Sequence, residues 1–147
     1  METMLSTLPL AKQPSKSKKP ESKLYQDLKK YQKKNLSKSH LTRIETTVSL
    51  GFPDIFYSDP RGVFHLLELK TSPNFAVKIS PHQLSFMLRH QNSSAWVLVR
   101  GLKTMELYLY HSSQIMGLNE SGLRFAPKCK TSDFSDIFKN VSCETFR

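Results

Sequence analysis

The chain has 147 residues, 38% of them hydrophobic, and a net charge of +10. That length fits one domain with one modest core and a tail, and it contains no run of about 18 apolar residues that would span a membrane. A secretory leader is not expected, because the mildly apolar start carries Glu2 and no A-x-A-like cleavage site follows.

Residues 1–22 are rich in Ser, Pro and Lys and show no periodicity, which predicts a disordered basic tail ahead of a domain over 23–147. The basic charge gathers at this end. Residues 1–43 hold eleven Lys and Arg against three acids (Glu2, Glu21, Asp27), and the rest of the chain holds eleven against nine. Such a segment favours a polyanionic partner, either as an arm that tracks phosphates or as a solubilising tail.

From 23 to 36, Leu24, Leu28 and Tyr31 fall at helical spacing and leave a basic outer face. Leu41, Ile44, Glu45 and Val48 repeat the spacing and predict a second helix over 40–49, ended by Gly51-Phe52-Pro53. Glu45 then sits within an apolar stripe, where a carboxylate must be paired, ligated or at the stripe's edge.

Segments 55–58 and 63–71 read as strands joined by Asp59-Pro60-Arg61-Gly62. Pro and Gly at these positions suit a three-residue hairpin loop with a glycine bulge. In that register Asp54 lies opposite Glu68, and Lys70 is two residues further on the same face. Like charges placed across a sheet repel, so folding alone explains the pair poorly. A divalent cation between them removes the penalty.

A further helix starts at Ser80, with Pro81 at its first position and Gln83 three residues after the cap. Gln83 serves that cap or reaches toward the site from a helix N-terminus. Segments 95–99 and 105–110 read as strands separated by the turn at 101–104. After Ser112 the pattern loosens, until Phe134, Ile137, Phe138 and Val141 mark a short terminal helix. The order α-α-β-β-α-β-β-α describes a small α/β domain with a mixed sheet. Cys129 and Cys143 lack C-x-x-C spacing and fit a reducing compartment, and the five histidines show no ligand spacing.

The series of helix acid (Glu45), Gly-Phe-Pro-Asp (51–54), Leu-Leu-Glu-Leu-Lys-Thr (66–71) and helix Gln (Gln83) resembles the PD-(D/E)XK nuclease superfamily. Within it, the chain is similar to small phage and archaeal Holliday-junction resolvases and to VRR-NUC domains, over about residues 40–112. The resemblance implies a restriction-endonuclease-like core, a central mixed β-sheet flanked by α-helices. It implies that Asp54, Glu68 and the Leu69 backbone carbonyl bind Mg²⁺ or Mn²⁺, that Glu45 completes the metal site, and that Lys70 orients or activates water. The expected activity is metal-dependent cleavage of branched DNA such as four-way junctions; the paired phosphates of such a substrate suit a two-fold homodimer, for which the apolar C-terminal helix or the N-terminal helix could make the interface. The implied setting is the cytoplasm of a prokaryotic or phage-infected cell. The region after Ser112 matches nothing in that pattern, and the basic N-terminal segment is longer than the minimal domain needs. Two other readings are a general or repair-type nuclease without junction specificity, and a non-catalytic DNA-binding protein on a nuclease scaffold.

Overall fold

The structure is a computed structural model and describes residues 19–45 and 50–143. In chain order the elements are α1 (Pro20–Asn35), β1 (His40–Arg43), β2 (Ile55–Ser58), β3 (Phe64–Ser72), α2 (Pro81–Arg89), β4 (Ala95–Gly101), β5 (Leu107–His111), α3 (Ile115–Ser121), β6 (Cys129–Thr131) and α4 (Phe134–Cys143). Short 3-10 turns at Ser112–Gln114 and Gly122–Arg124 flank α3. The strands form one six-stranded mixed sheet in sequence order. Every neighbouring pair is antiparallel except β3 and β4, which run parallel. A parallel pair needs a crossover, and α2 supplies it.

Helices cover both faces, and the alternation of side chains along β4 sorts its residues between two cores. Trp96 and Leu98 pack with Leu24 and Leu28 of α1 and Ile137, Phe138 and Val141 of α4. Val97 and Val99 pack on the other face with Phe86 and Met87 of α2 and Ile115 and Leu118 of α3. The apolar faces of α1 and α4 thus pack on the sheet within the chain. An ion pair between Asp27 and the buried Arg100 (3.0 Å) adds a polar tie between α1 and β4.

Three expectations need correction. The helix over 40–49 is not formed in its described part, because His40–Arg43 is an edge strand paired with β2. Thr42 within this strand and Ile44 just after it are β-branched, which favours extended backbone. Leu41 alone in β1 turns inward. Residues 46–49 lie outside the described residues. The expected tail over 1–22 also lies outside them as far as residue 18, while Pro20–Asn35 is helical, so α1 begins three residues earlier than its apolar spacing indicates. Finally, α3 and β6 occupy the stretch after Ser112 that carried no clear periodicity.

The β2–β3 hairpin forms in the expected register, with Ile55 opposite Leu67 and Ser58 opposite Phe64. Gly62 takes φ +84, the left-handed conformation that this loop requires. Asp59 locks the turn. Its Oδ1 accepts from the backbone N–H groups of Arg61 (2.8 Å) and Val63 (3.0 Å). Its Oδ2 accepts from the Arg61 guanidinium (2.9 Å) and from His65 Nε2 (2.9 Å). Burial opposes its ionisation, but these bonds, led by His65 and Arg61, hold the Asp59 carboxyl well below the usual carboxylate range. Burial pushes the pKa of His65 down. The neutral ring then bonds Ser94 through Nδ1, and Ser94 Oγ also accepts from Trp96 Nε1 (2.9 Å). The turn is thus tied to the start of β4, and the register that opposes Asp54 to Glu68 is fixed from below.

Candidate active site

Glu68 and Lys70 alternate with Leu69 on β3, so they share the face that α2 covers, while Leu69 enters the opposite core. β2 ends at Ile55, opposite Leu67, and leaves Leu69 without a ladder partner on that edge. Asp54, just before β2, fills the gap: its Oδ2 accepts from the Leu69 N–H at 3.2 Å. In the ladder pattern a residue's N–H and C=O turn to the same side, so the Leu69 carbonyl also faces this edge.

Asp54 is delivered by a constrained loop. Gly51 takes φ +84 and lies so close to the first turn of α2 that a Cβ would sit 2.3 Å from the His82 carbonyl oxygen. Phe52 packs edge-on against Phe86, ring centroids 5.2 Å apart. On the other side, the Asp54 carbonyl accepts from the Ile44 N–H at 2.7 Å.

Gln83 joins the two halves of the site. Its Oε1 accepts from the Ser80 N–H (3.0 Å) and from Lys70 Nζ (2.8 Å), and its Nε2 donates to Glu68 Oε2 (2.9 Å). The Ser80 hydroxyl completes the capping box by accepting from the Gln83 N–H at 3.1 Å. The helix cap and the site contact, alternatives in the sequence, coexist in one side chain. Lys70 Nζ lies 3.7 Å from Glu68 Oε2, with Lys70 largely and Glu68 almost wholly buried.

The electrostatics are those of two carboxylates forced together. Burial, then the charge of Asp54, raises the Glu68 pKa from 4.5 to about 8, against the pull of Lys70. Glu68 Oε1 is buried and accepts no hydrogen bond; the carboxyl can bond the neighbouring Asp54 side chain only when protonated, which adds to the rise. An unsatisfied carboxylate oxygen next to a second carboxylate is costly on its own, and it has the donor chemistry of a hard cation site.

Glu45 is not part of this arrangement. It follows β1 rather than lying on a helix, is exposed, and among the described residues makes no ion pair or hydrogen bond with Asp54, Glu68 or Lys70. The acid that a helix does bring to the site is Glu21, in the first turn of α1. Partial burial raises its carboxyl pKa; Lys70 opposes that shift and Asp54 adds to it. Glu21, Lys70, Thr71, Asn74 and Lys78 border an open hollow of about 400 Å³ beside the carboxylates. A sequence signal for Glu21 exists. It follows a Pro at a helix start and is three and seven residues before Leu24 and Leu28, on the face that docks to the sheet.

Among the described residues no three His, Cys, Asp or Glu side chains form a ready-made metal cage. The donor set instead suits an ion that keeps several waters. Mg²⁺ is commonly held by one or two carboxylates, with water and phosphate oxygens completing its shell. Asp54, Glu68 and the Leu69 carbonyl meet that requirement, and the orphaned Glu68 Oε1 is the atom that such an ion would satisfy. No protein-family model matches the chain, and no curated protein matches it in sequence.

Proposed function

We propose that this protein is a metal-dependent DNA endonuclease that hydrolyses phosphodiester bonds. The observation that carries this reading is the half-buried Asp54 set against the buried Glu68, with Glu68 raised to about 8 and its Oε1 accepting no hydrogen bond, beside a clamped Lys70. Asp54, Glu68 and the Leu69 carbonyl would hold one Mg²⁺ or Mn²⁺ ion, with Glu21 closing the site from α1. When bound, such an ion polarises a phosphate and lowers the pKa of a coordinated water.

The chain's own groups do the rest. Gln83 fixes the Lys70 ammonium in the wall of the hollow, where it donates to the phosphate oxygens as their charge grows in the transition state. Asp54 and Glu68 set the position of the attacking water relative to that phosphate. Lys78 and Asn74, at the rim, present a cation and an amide to the flanking backbone. Branched DNA, the four-way junction above all, is the substrate form to test first.

The test is incubation with labelled linear duplex, flap, three-way and four-way DNA, each with Mg²⁺, Mn²⁺ or EDTA. Metal-dependent cutting is expected, and paired symmetric nicks confined to the four-way form would mark a junction resolvase. Lys70→Ala is expected to bind DNA and to cleave it at least about 10²-fold more slowly. Full cleavage by that variant with Mg²⁺, or no cutting of any form by the native protein, overturns the assignment.

A further inference from the structure

The flank of α1 that carries Glu21 continues away from the site as a line of cations. Residues four apart on a helix lie over one another, so Glu21, Tyr25, Lys29 and Lys33 form one ridge beside β1. The Arg43 guanidinium lies over the Tyr25 ring, 5.1 Å from its centroid. Lys29 Nζ reaches across to the Leu41 carbonyl. Further on, Lys33 and His40 border a hollow of about 280 Å³ with the hydroxyl-bearing Ser37 and Thr42, and no acid lines it. The other acid of α1, Asp27, is turned away and engaged by Lys23 and Arg100. A lysine bonded to an edge-strand carbonyl guards that edge against pairing, which accounts for Lys29. It does not account for Lys33, His40 and Arg43 in the same line.

We propose that this flank, from Arg43 through Lys29 to Lys33 and His40, is a track for the phosphate backbone of duplex DNA. The proposal rests on the nuclease reading for its substrate. Twelve residues of helix separate Glu21 from Lys33, which is about 18 Å at 1.5 Å per residue. At about 3.4 Å per base pair that is roughly five base pairs, half a turn of B-DNA. The track therefore meets the duplex again about half a turn from the scissile phosphate. A single strand is the poorer occupant. Single-strand grooves alternate cations with open aromatic faces, and the ring of Tyr25, the one aromatic on this ridge, is covered by Arg43.

The experiment is fluorescence anisotropy of the full chain with a labelled 20-base-pair duplex in EDTA, across a salt series. Lys29→Gln/Lys33→Gln is compared with Arg89→Gln/Lys139→Gln, which removes the same charge from exposed positions on α2 and α4. Each lost phosphate contact is expected to lower the slope of log K against log salt by about 0.9, so the first pair loses about 1.8 and binds on the order of tenfold or more weakly. The second pair is expected to stay within about twofold of the native protein. Lys33→Gln alone, which keeps the Lys29–Leu41 hydrogen bond, is expected to lose about 0.9, so a folding defect in the double variant does not decide the matter. Equal slope losses in both pairs, no duplex binding by the native protein, or tighter binding of an RNA duplex through the same lysines overturns the proposal. Because the readout is binding without metal, a protein that binds along this track and never cuts refutes the nuclease reading alone.

Discussion

Replacing Glu68 by Gln separates the cost of the site from its use. Glu68 titrates near 8 in the folded, metal-free protein against 4.5 ordinarily. At about 1.4 kcal/mol per tenfold in the proton equilibrium, ionising it in place costs on the order of 5 kcal/mol. A folded-state pKa raised above the unfolded value contributes stability that is complete below pH 4.5 and is lost as pH rises through about 8. Gln cannot ionise, and it still offers an oxygen to Gln83 Nε2 and a donor toward Asp54. In EDTA at pH 5 the native protein and Glu68→Gln should therefore melt together. At pH 9 the variant should melt higher, by on the order of 10 °C at about 2–4 °C per kcal/mol. Added Mg²⁺ should raise the native melting temperature more at pH 8.5 than at pH 5.5, because metal binding needs the carboxylate, and should leave Glu68→Gln unmoved. Thermal denaturation followed by circular dichroism checks all three. Parallel pH curves for the two proteins would refute the claim that Asp54 and burial hold Glu68 in an unfavourable state.

Glu21→Gln is expected to slow metal-dependent cleavage by about tenfold or more, while Glu45→Gln stays within about threefold, measured on one DNA substrate over a Mg²⁺ titration; the reverse ranking would move the third-carboxylate role from Glu21 to Glu45. Gly51→Ala forces a Cβ to within 2.3 Å of the His82 carbonyl oxygen and a strained φ, so it is expected to cost roughly 1–3 kcal/mol in urea denaturation and to depress kcat by displacing Asp54. Met105, exposed at φ 62 in the β4–β5 turn, predicts the opposite sign. Met105→Gly is expected to gain about 1 kcal/mol, seen as a melting temperature about 3 °C higher.

The parts of this fold that were legible in the sequence are those specified locally. The Asp59–Gly62 turn fixes its own geometry within five residues, so the opposition of Asp54 and Glu68 could be derived from it. The Ser80–Gln83 cap is equally local. The helix over 40–49 was misread because three apolar positions (Leu41, Ile44, Val48) fit a helical stripe while β-branched Thr42 fits a strand, and pairing of His40–Arg43 with β2 decides for the strand in the described part. Glu21 escaped notice because its role depends on where α1 docks, through Leu24, Leu28 and the Asp27–Arg100 pair. The stretch after Ser112 is held by contacts distant in sequence, such as the Tyr110 hydroxyl to the Phe125 carbonyl (2.7 Å) and Gln114 to the Ala126 carbonyl (3.0 Å).

The double engagement of Gln83 narrows what evolution can place there. A capping box accepts Glu as readily as Gln, since either side chain can receive the N-cap N–H. The site has no such tolerance. A Glu at this position would keep the bonds to Ser80 and Lys70 but would turn a third anion onto Glu68, whose ionisation burial, Asp54 and Glu21 already suppress. Helix and site thus share a single letter, and only the amide is grammatical in both. The same sharing couples their fates: α2 cannot fray at its first turn without releasing Lys70 and Glu68, so an intact helix start and an assembled site are one cooperative state.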